Sequence, residues 1–167
     1  MIEAPLPLIE TPVVADWIDF NGHMNDAAYA LVFSRAVDRF VDRIGLDESV
    51  RKATRLTIYT LQLMIHYFKE AKIGDMLAVT GHLLEHDAKR FRIFARMSLG
   101  SAGPLLATSE QVLICVDQSG ETPKSSPFPS RTGAALEAIL TVHARLPLPP
   151  EAGRGVALRP RARWFSL

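Results

Sequence analysis

Cysteine is nearly missing from this chain. Cys115 stands alone, so no intrachain disulfide can form, and no Cys/His spacing matches a zinc site. The reducing cytoplasm is therefore the expected compartment. A basic, apolar leader is also lacking: Met1 to Leu8 carries an acid, Glu3, where a signal peptide would carry lysine or arginine, and Pro5 and Pro7 break any apolar helix. No long hydrophobic run compensates. The greasiest stretch, Leu56 to Phe68, is interrupted by Thr57, Thr60, Gln62 and His66, short of the roughly 18 apolar residues a membrane span needs. Basic charge is scarce where nucleic acid would require it. Four of the nineteen Lys and Arg residues follow the last acid, Glu151, leaving fifteen against eighteen acids and a body of net charge −3. Neither a nucleic-acid partner nor a membrane partner is expected.

What remains is an ordinary globular composition, with 48% apolar and 22% charged residues over 167 positions. A chain of this size buries roughly 68–70% of its unfolded surface, enough for a core without staples. Two hydrophobic periods divide it. From Asn25 to Ile44, Tyr29, Val32, Phe33, Ala36, Val37, Phe40 and Ile44 recur at three- and four-residue steps, and charges take the other side, which predicts one long amphipathic helix. Asn25 suits its N-cap, Asp26 its positive dipole end, and Gly45 its C′ position. Alternation marks strands over Leu56–Phe68, Leu77–Leu84, Phe91–Leu99 and Leu105–Asp117. A first short strand is expected over Thr11–Asp19, a brief helix over Asp47–Thr54, and a second helix capped by Ser130 and running to about Arg145.

This order predicts an α+β domain over 1–145, a curved antiparallel sheet on one central helix. A proline- and arginine-rich arm, 146–167, is expected to pack on a surface. Apolar residues on both faces of Leu56–Phe68, and the open edges of such a sheet, predict a homodimer or a dimer of dimers. Cys115 reads as an inert core residue. His82 and His86 would share a helix face but fall on a strand, so no metal site is expected.

Chemistry concentrates between Asp16 and Tyr29. A strand is expected to end at the Asp19 carboxylate, a turn through Gly22 to follow, and the helix to begin at once. Its start offers unpaired N–H groups and a positive dipole end, suited to an acyl oxygen that gains charge during attack. By itself Asp19 also suits a turn cap. His23 could move a proton, bond Asp19 or fill space; Asn25 reads first as a cap, and Tyr29 as core packing. Glu70 is a candidate second carboxylate, and Lys89 and Arg90, beside a turn, are candidate phosphate contacts; ordinary solvated charge is the competing reading of all three.

Asp19, Gly22, His23, Asn25 and Tyr29 spell Asp-x-x-Gly-His-x-Asn-x-x-x-Tyr, which resembles the active-site loop of hotdog-fold acyl-CoA thioesterases of the 4-hydroxybenzoyl-CoA thioesterase type. Tyr67 to Asp75 and Ala107 to Asp117 resemble further parts of that family, so the likeness runs from about Pro12 to Asp117. It implies a sheet wrapped around the helix, an acyl-CoA held between subunits, and no cofactor beyond the substrate's coenzyme A. It also implies Asp19 as nucleophile or base, His23 and Asn25 beside it, and an oxyanion site at the backbone N–H groups of Met24 and Asp26. Trp17, Gly22, Tyr67, Glu70, Lys89 and Arg90 would contact substrate. Trp-Ile-Asp-Phe-Asn-Gly-His-Met-Asn-Asp over 17–26, with Asp87 to Arg90 and Ser126 to Pro129, resembles a narrower branch, the thioesterases of bacterial carnitine breakdown that release glycine betaine from betainyl-CoA. A trimethylammonium group would favour aromatic faces such as those of Trp17, Tyr59, Tyr67 and Phe68. A non-catalytic acyl-CoA-binding module is the alternative. An enoyl-CoA hydratase fits less well, because its loop resembles one with four residues between Asp and His, and Asp19 and His23 have three.

Overall fold

The computed structural model describes residues 2–156. Its strands are β1 (Leu6–Pro12), β2 (Leu56–Tyr67), β3 (Met76–His86), β4 (Arg90–Leu99), β5 (Leu105–Asp117) and β6 (Lys124–Ser125); its helices are α1 (Asp26–Arg43), α2 (Glu48–Thr54) and α3 (Ser130–His143). They form one antiparallel sheet in the order β1-β3-β4-β5-β2, with β6 adding to the end of β5. β2 pairs with β5 rather than with the strand that follows it.

α1 follows its sequence closely. Ala28, Tyr29, Val32, Phe33, Ala36, Val37, Phe40 and Val41 are buried against the sheet, with Phe33 and Phe40 sealed completely. Truncating such a phenylalanine to alanine costs about 3–5 kcal/mol. The Asn25 side chain accepts the Ala27 N–H at 2.9 Å, and Gly45, at φ +84°, ends the helix. From the sheet, Leu77, Val79, Leu83, Ile93 and Met97 face the same core.

Three expectations are corrected. The first strand lies at Leu6–Pro12, and Ala15–Trp17 is a 3-10 turn; β1 is an edge strand, where prolines that would break an interior strand cost no ladder bond. The alternation of β2 slips at an irregularity between Thr60 and Gln62, so Ile58 and Thr60 share the helix-side face with Leu63, Ile65 and Tyr67. Within this chain Tyr59, Leu61, Leu63 and Tyr67 of β2 remain 42–53% exposed. Ser130 is the first helical residue of α3 rather than its cap, and Pro129 holds the N-cap place without a side-chain bond; proline's fixed φ serves helix entry there.

The arm expected from 146 onward is described to residue 156. Leu146 to Pro150 lie over Thr80, His82, Phe94 and Arg96 on the face of the sheet opposite α1, and the Gly153 N–H donates to Glu110 at 2.7 Å. Arg159, Arg161 and Arg163 fall outside the described residues. α3 closes the edge of β3 where β1 runs out. The Leu83 N–H donates to Nδ1 of His143 at 2.9 Å, so Nε2 of that buried ring carries the proton, 3.1 Å from the Glu3 carbonyl.

Candidate active site

Ile18 and Met24 form a bridge that closes a small hairpin ahead of α1. The Gly22 N–H donates to the Asp19 carbonyl, and the Asp19 N–H to the His23 carbonyl, both at 3.0 Å. Gly22 sits at φ +80°, the left-handed conformation that ends a three-residue hairpin loop. The Asp19 carboxylate accepts the Asn21 N–H at 2.8 Å, with the Asn21 side-chain amide at 3.5 Å from its other oxygen. Asp19 is thus turn cap and cleft residue at once.

The hairpin is locked to the loop after β2. Met24 donates its N–H to the Ala71 carbonyl at 2.8 Å, and Asn25 donates to the Trp17 carbonyl at 2.8 Å. Tyr29, buried beneath, donates its hydroxyl to the Lys69 carbonyl (3.3 Å) and accepts the Ala71 N–H (3.1 Å). It is therefore a hydrogen-bonding residue as well as core packing. Its ring meets Tyr67 edge to face, with centroids 5.4 Å apart, and the Tyr67 hydroxyl donates to the Asp26 carbonyl at 3.3 Å. Burial pushes both phenols up; the charge of Glu70 adds to this at Tyr29, and that of Asp26 at Tyr67.

These contacts frame an open cleft of about 650 Å³, lined by Asp19, His23, Met24, Asp26, Tyr67 and Glu70 among others, a size that accommodates a small-molecule group. His23 Nε2 lies 3.0 Å from Glu70 Oε2 across its mouth. Asp26 opens α1, and its N–H meets no acceptor among the described residues. The Met24 N–H, by contrast, is taken by Ala71, which removes it as an oxyanion donor in this arrangement. Asn25 acts as the helix cap. Trp17, expected to contact substrate, is not among the residues lining the cleft: it packs partly buried against the core, with the Arg35 guanidinium 5.5 Å from its ring centroid.

Lys89 and Arg90 are elsewhere. Arg90 opposes Ile114, which in turn opposes Tyr59, whereas the cleft lies at the Tyr67 end of β2; eight residues of strand separate the two ends, roughly 25 Å. Asp87 holds Arg90 through Nε (2.8 Å) and Nη2 (2.6 Å). The Lys89 N–H and the Arg90 side chain push the Asp87 carboxyl down to about 2. Asn21, Lys69 and Ala71 were not singled out from the sequence. Asn21 sits inside the motif, but its contact with Asp19 depends on the turn geometry; Ala71 acts only through its backbone.

A larger hollow of about 960 Å³ beside α2 is lined by Asp42, Arg39, Arg51 and their neighbours, charges that largely pair with one another. The apolar hollow under Pro147 to Pro150 is lined by Thr80, His82, Phe94 and Arg96 and has no carboxylate among its lining residues.

A curved antiparallel sheet around one long helix defines a hotdog fold, here with Asp19 and the first residue of α1 lining one cleft. Residues 13–136 match the model of the thioesterase-like superfamily, and the chain belongs to that family. It is 41% identical over 155 residues to a betainyl-CoA thioesterase of Pseudomonas aeruginosa, covering 93% of this chain and 96% of that one. It is 38% identical over 152 residues to an L-carnitine dehydrogenase/betainyl-CoA thioesterase of Rhizobium meliloti, covering 91% of this chain and 30% of that longer protein. A Staphylococcus aureus protein solved in complex with CoA superposes with a TM-score of 0.84 at 26% identity, over 94% of this chain and 98% of the other.

Proposed function

We propose that this thioester hydrolase acts on betainyl-CoA, releasing glycine betaine and coenzyme A in the cleft at the start of α1. The observation that carries the reading is that the Asp19 carboxylate and the unpartnered Asp26 N–H line one cleft, in a chain 41% identical to a protein named for that activity. The acyl carbonyl oxygen would take the Asp26 N–H and the dipole end of α1, where developing negative charge is stabilised. Asp19 would then attack the carbonyl carbon or take the proton of an attacking water. In either course the carbon–sulfur bond breaks, the sulfur leaves with the electron pair and gains a proton, and water supplies the oxygen of the new carboxylate. Water is the only co-reactant, and the reading assigns no cofactor. His23, 3.0 Å from Glu70, would carry a proton at the mouth. Asn25 supports the site by fixing the helix start, and Gly22 by its turn.

For the substrate's nucleotide end the reading calls on a second copy of the chain. β2 is an open edge with exposed Tyr59, Leu61, Leu63 and Tyr67, and we assign it to a homodimer interface. Two β2 strands meeting antiparallel would bring the Lys89 and Arg90 end of one protomer to the Tyr67 end of its partner, where these basic residues could reach CoA phosphates. Trp17 would contribute by buttressing the hairpin. No described helix is long and apolar enough to cross a membrane, and the lone buried thiol fits a cytoplasmic enzyme.

The test is thiol release from betainyl-CoA, aromatic acyl-CoA and fatty acyl-CoA by the purified chain and by Asp19→Asn. Preference for betainyl-CoA with a loss of about 10²–10⁴-fold in the variant is expected. Equal turnover by Asp19→Asn overturns the role of Asp19, preference for long fatty chains overturns the substrate, and ligand-induced stabilisation without any thiol release returns the binding-module reading.

A further inference from the structure

A betainyl group places its quaternary nitrogen a single methylene from the thioester carbonyl. If that carbonyl sits at the Asp26 N–H, the positive charge lies beside the reacting centre, so its counter-charge must come from the residues that build the centre. A quaternary ammonium has no N–H to donate. It is recognised by charge and by aromatic faces, within about 6 Å of a ring centroid.

Three carboxylates line the cleft, with Lys69 as the one fixed cation among the lining residues. Glu70 is engaged by His23 at 3.0 Å. Asp19 is bound by Asn21 and is the reacting group. Asp26 differs from both: its carboxylate meets only the neighbouring Ala27 N–H, at 2.9 Å, and no cationic side chain pairs with it among the described residues. Tyr67 adds an aromatic partner. Its half-exposed ring is anchored by its hydroxyl to the carbonyl of the same Asp26 and braced by Tyr29. The Asp26 charge is felt at that phenol, which it helps burial to push up.

We infer that the Asp26 carboxylate determines specificity for a cationic acyl group, holding its positive charge beside the thioester while Tyr67 supplies an aromatic surface. The backbone and the side chain of one residue then have separate tasks: the N–H receives the carbonyl oxygen, and the carboxylate selects the acyl group. This rests on the hydrolase reading above but goes beyond it, since a neutral residue at position 26 would keep the N–H and lose the selection.

The experiment compares kcat/KM for betainyl-CoA with that for 3,3-dimethylbutyryl-CoA, in which carbon replaces nitrogen at the same shape without charge. It uses the full chain, Asp26→Asn and Asp26→Glu, each checked for folding by circular dichroism. The parent should prefer the cationic substrate. Asp26→Asn should narrow that preference about tenfold or more, and Asp26→Glu should restore much of it. A parent that prefers the cation, with an Asp26→Asn ratio equal to its own, overturns the assignment of Asp26 and leaves the substrate reading standing. A parent with no preference, or with no thiol release from either, overturns the substrate or hydrolase reading and this inference with it.

Discussion

The hydroxyl of Tyr29 accepts the N–H of Ala71 at 3.1 Å, while the carbonyl of Ala71 accepts the N–H of Met24 at 2.8 Å. One backbone unit after β2 therefore clamps both the hairpin that carries Asp19 and the first turn of α1. Ala71 is fully buried, so its donor has no water to turn to. Tyr29→Phe keeps the ring and strands that N–H, which should cost about 1–3 kcal/mol. Urea unfolding should show a lower midpoint with an unchanged slope, and thiol release should fall because the hairpin is loosened.

Gly22 offers a sharper probe of the turn. A Cβ there meets nothing within 4 Å, but φ is +80°, a region that costs a residue with a Cβ roughly 1–2 kcal/mol. Gly22→Ala should therefore stay folded, lose about that much stability, and lose activity beyond it as Asp19 shifts relative to Asp26. A thermal melt set beside kcat/KM separates the two effects; full activity in the variant would show that the turn does not position Asp19.

Leu63 on β2 is 45% exposed in the single chain. Leu63→Glu would place two like charges at a β2–β2 seam. Light scattering should report a dimer for the parent and a monomer for the variant, with thiol release lost in parallel. Lys89→Ala with Arg90→Ala should instead stay dimeric and raise KM for the CoA substrate while changing kcat little.

The buried His143 and His82 face each other with ring centroids 5.5 Å apart. Burial holds both below their ordinary value near 6.5; at His82 the charge of His143 adds to this. Unfolded, each binds a proton as pH falls past that value; folded, each resists. Their contribution is therefore complete above about pH 6.5 and is lost as pH falls through the depressed folded values. Denaturation midpoints should drop from pH 7.5 to pH 5. His143→Leu should be less stable at neutral pH, because the Leu83 N–H loses its acceptor, and should show a shallower drop.

Local chemistry made much of this molecule legible. The period and caps of α1 are written in Asn25, the apolar stripe and Gly45, because a helix satisfies its hydrogen bonds within a few residues. β4 was legible for the same kind of reason, its alternation following from side chains that point to opposite faces. The motif from Asp19 to Tyr29 marked the region of the cleft.

The sequence alone settled the helix, the strands after it and the stretch that forms the cleft at the start of α1, since these follow from contacts between residues close along the chain. Only the tertiary structure decided that β2 lies against β5, that the slip after Thr60 exchanges its faces, and that Ala71 takes the Met24 N–H while the Asp26 N–H stays open. It also moved Lys89 and Arg90 to the far end of the sheet from Asp19. Each of these depends on which distant backbone group arrives within hydrogen-bonding distance, and packing around the shared core fixes that, beyond the reach of residue type or spacing.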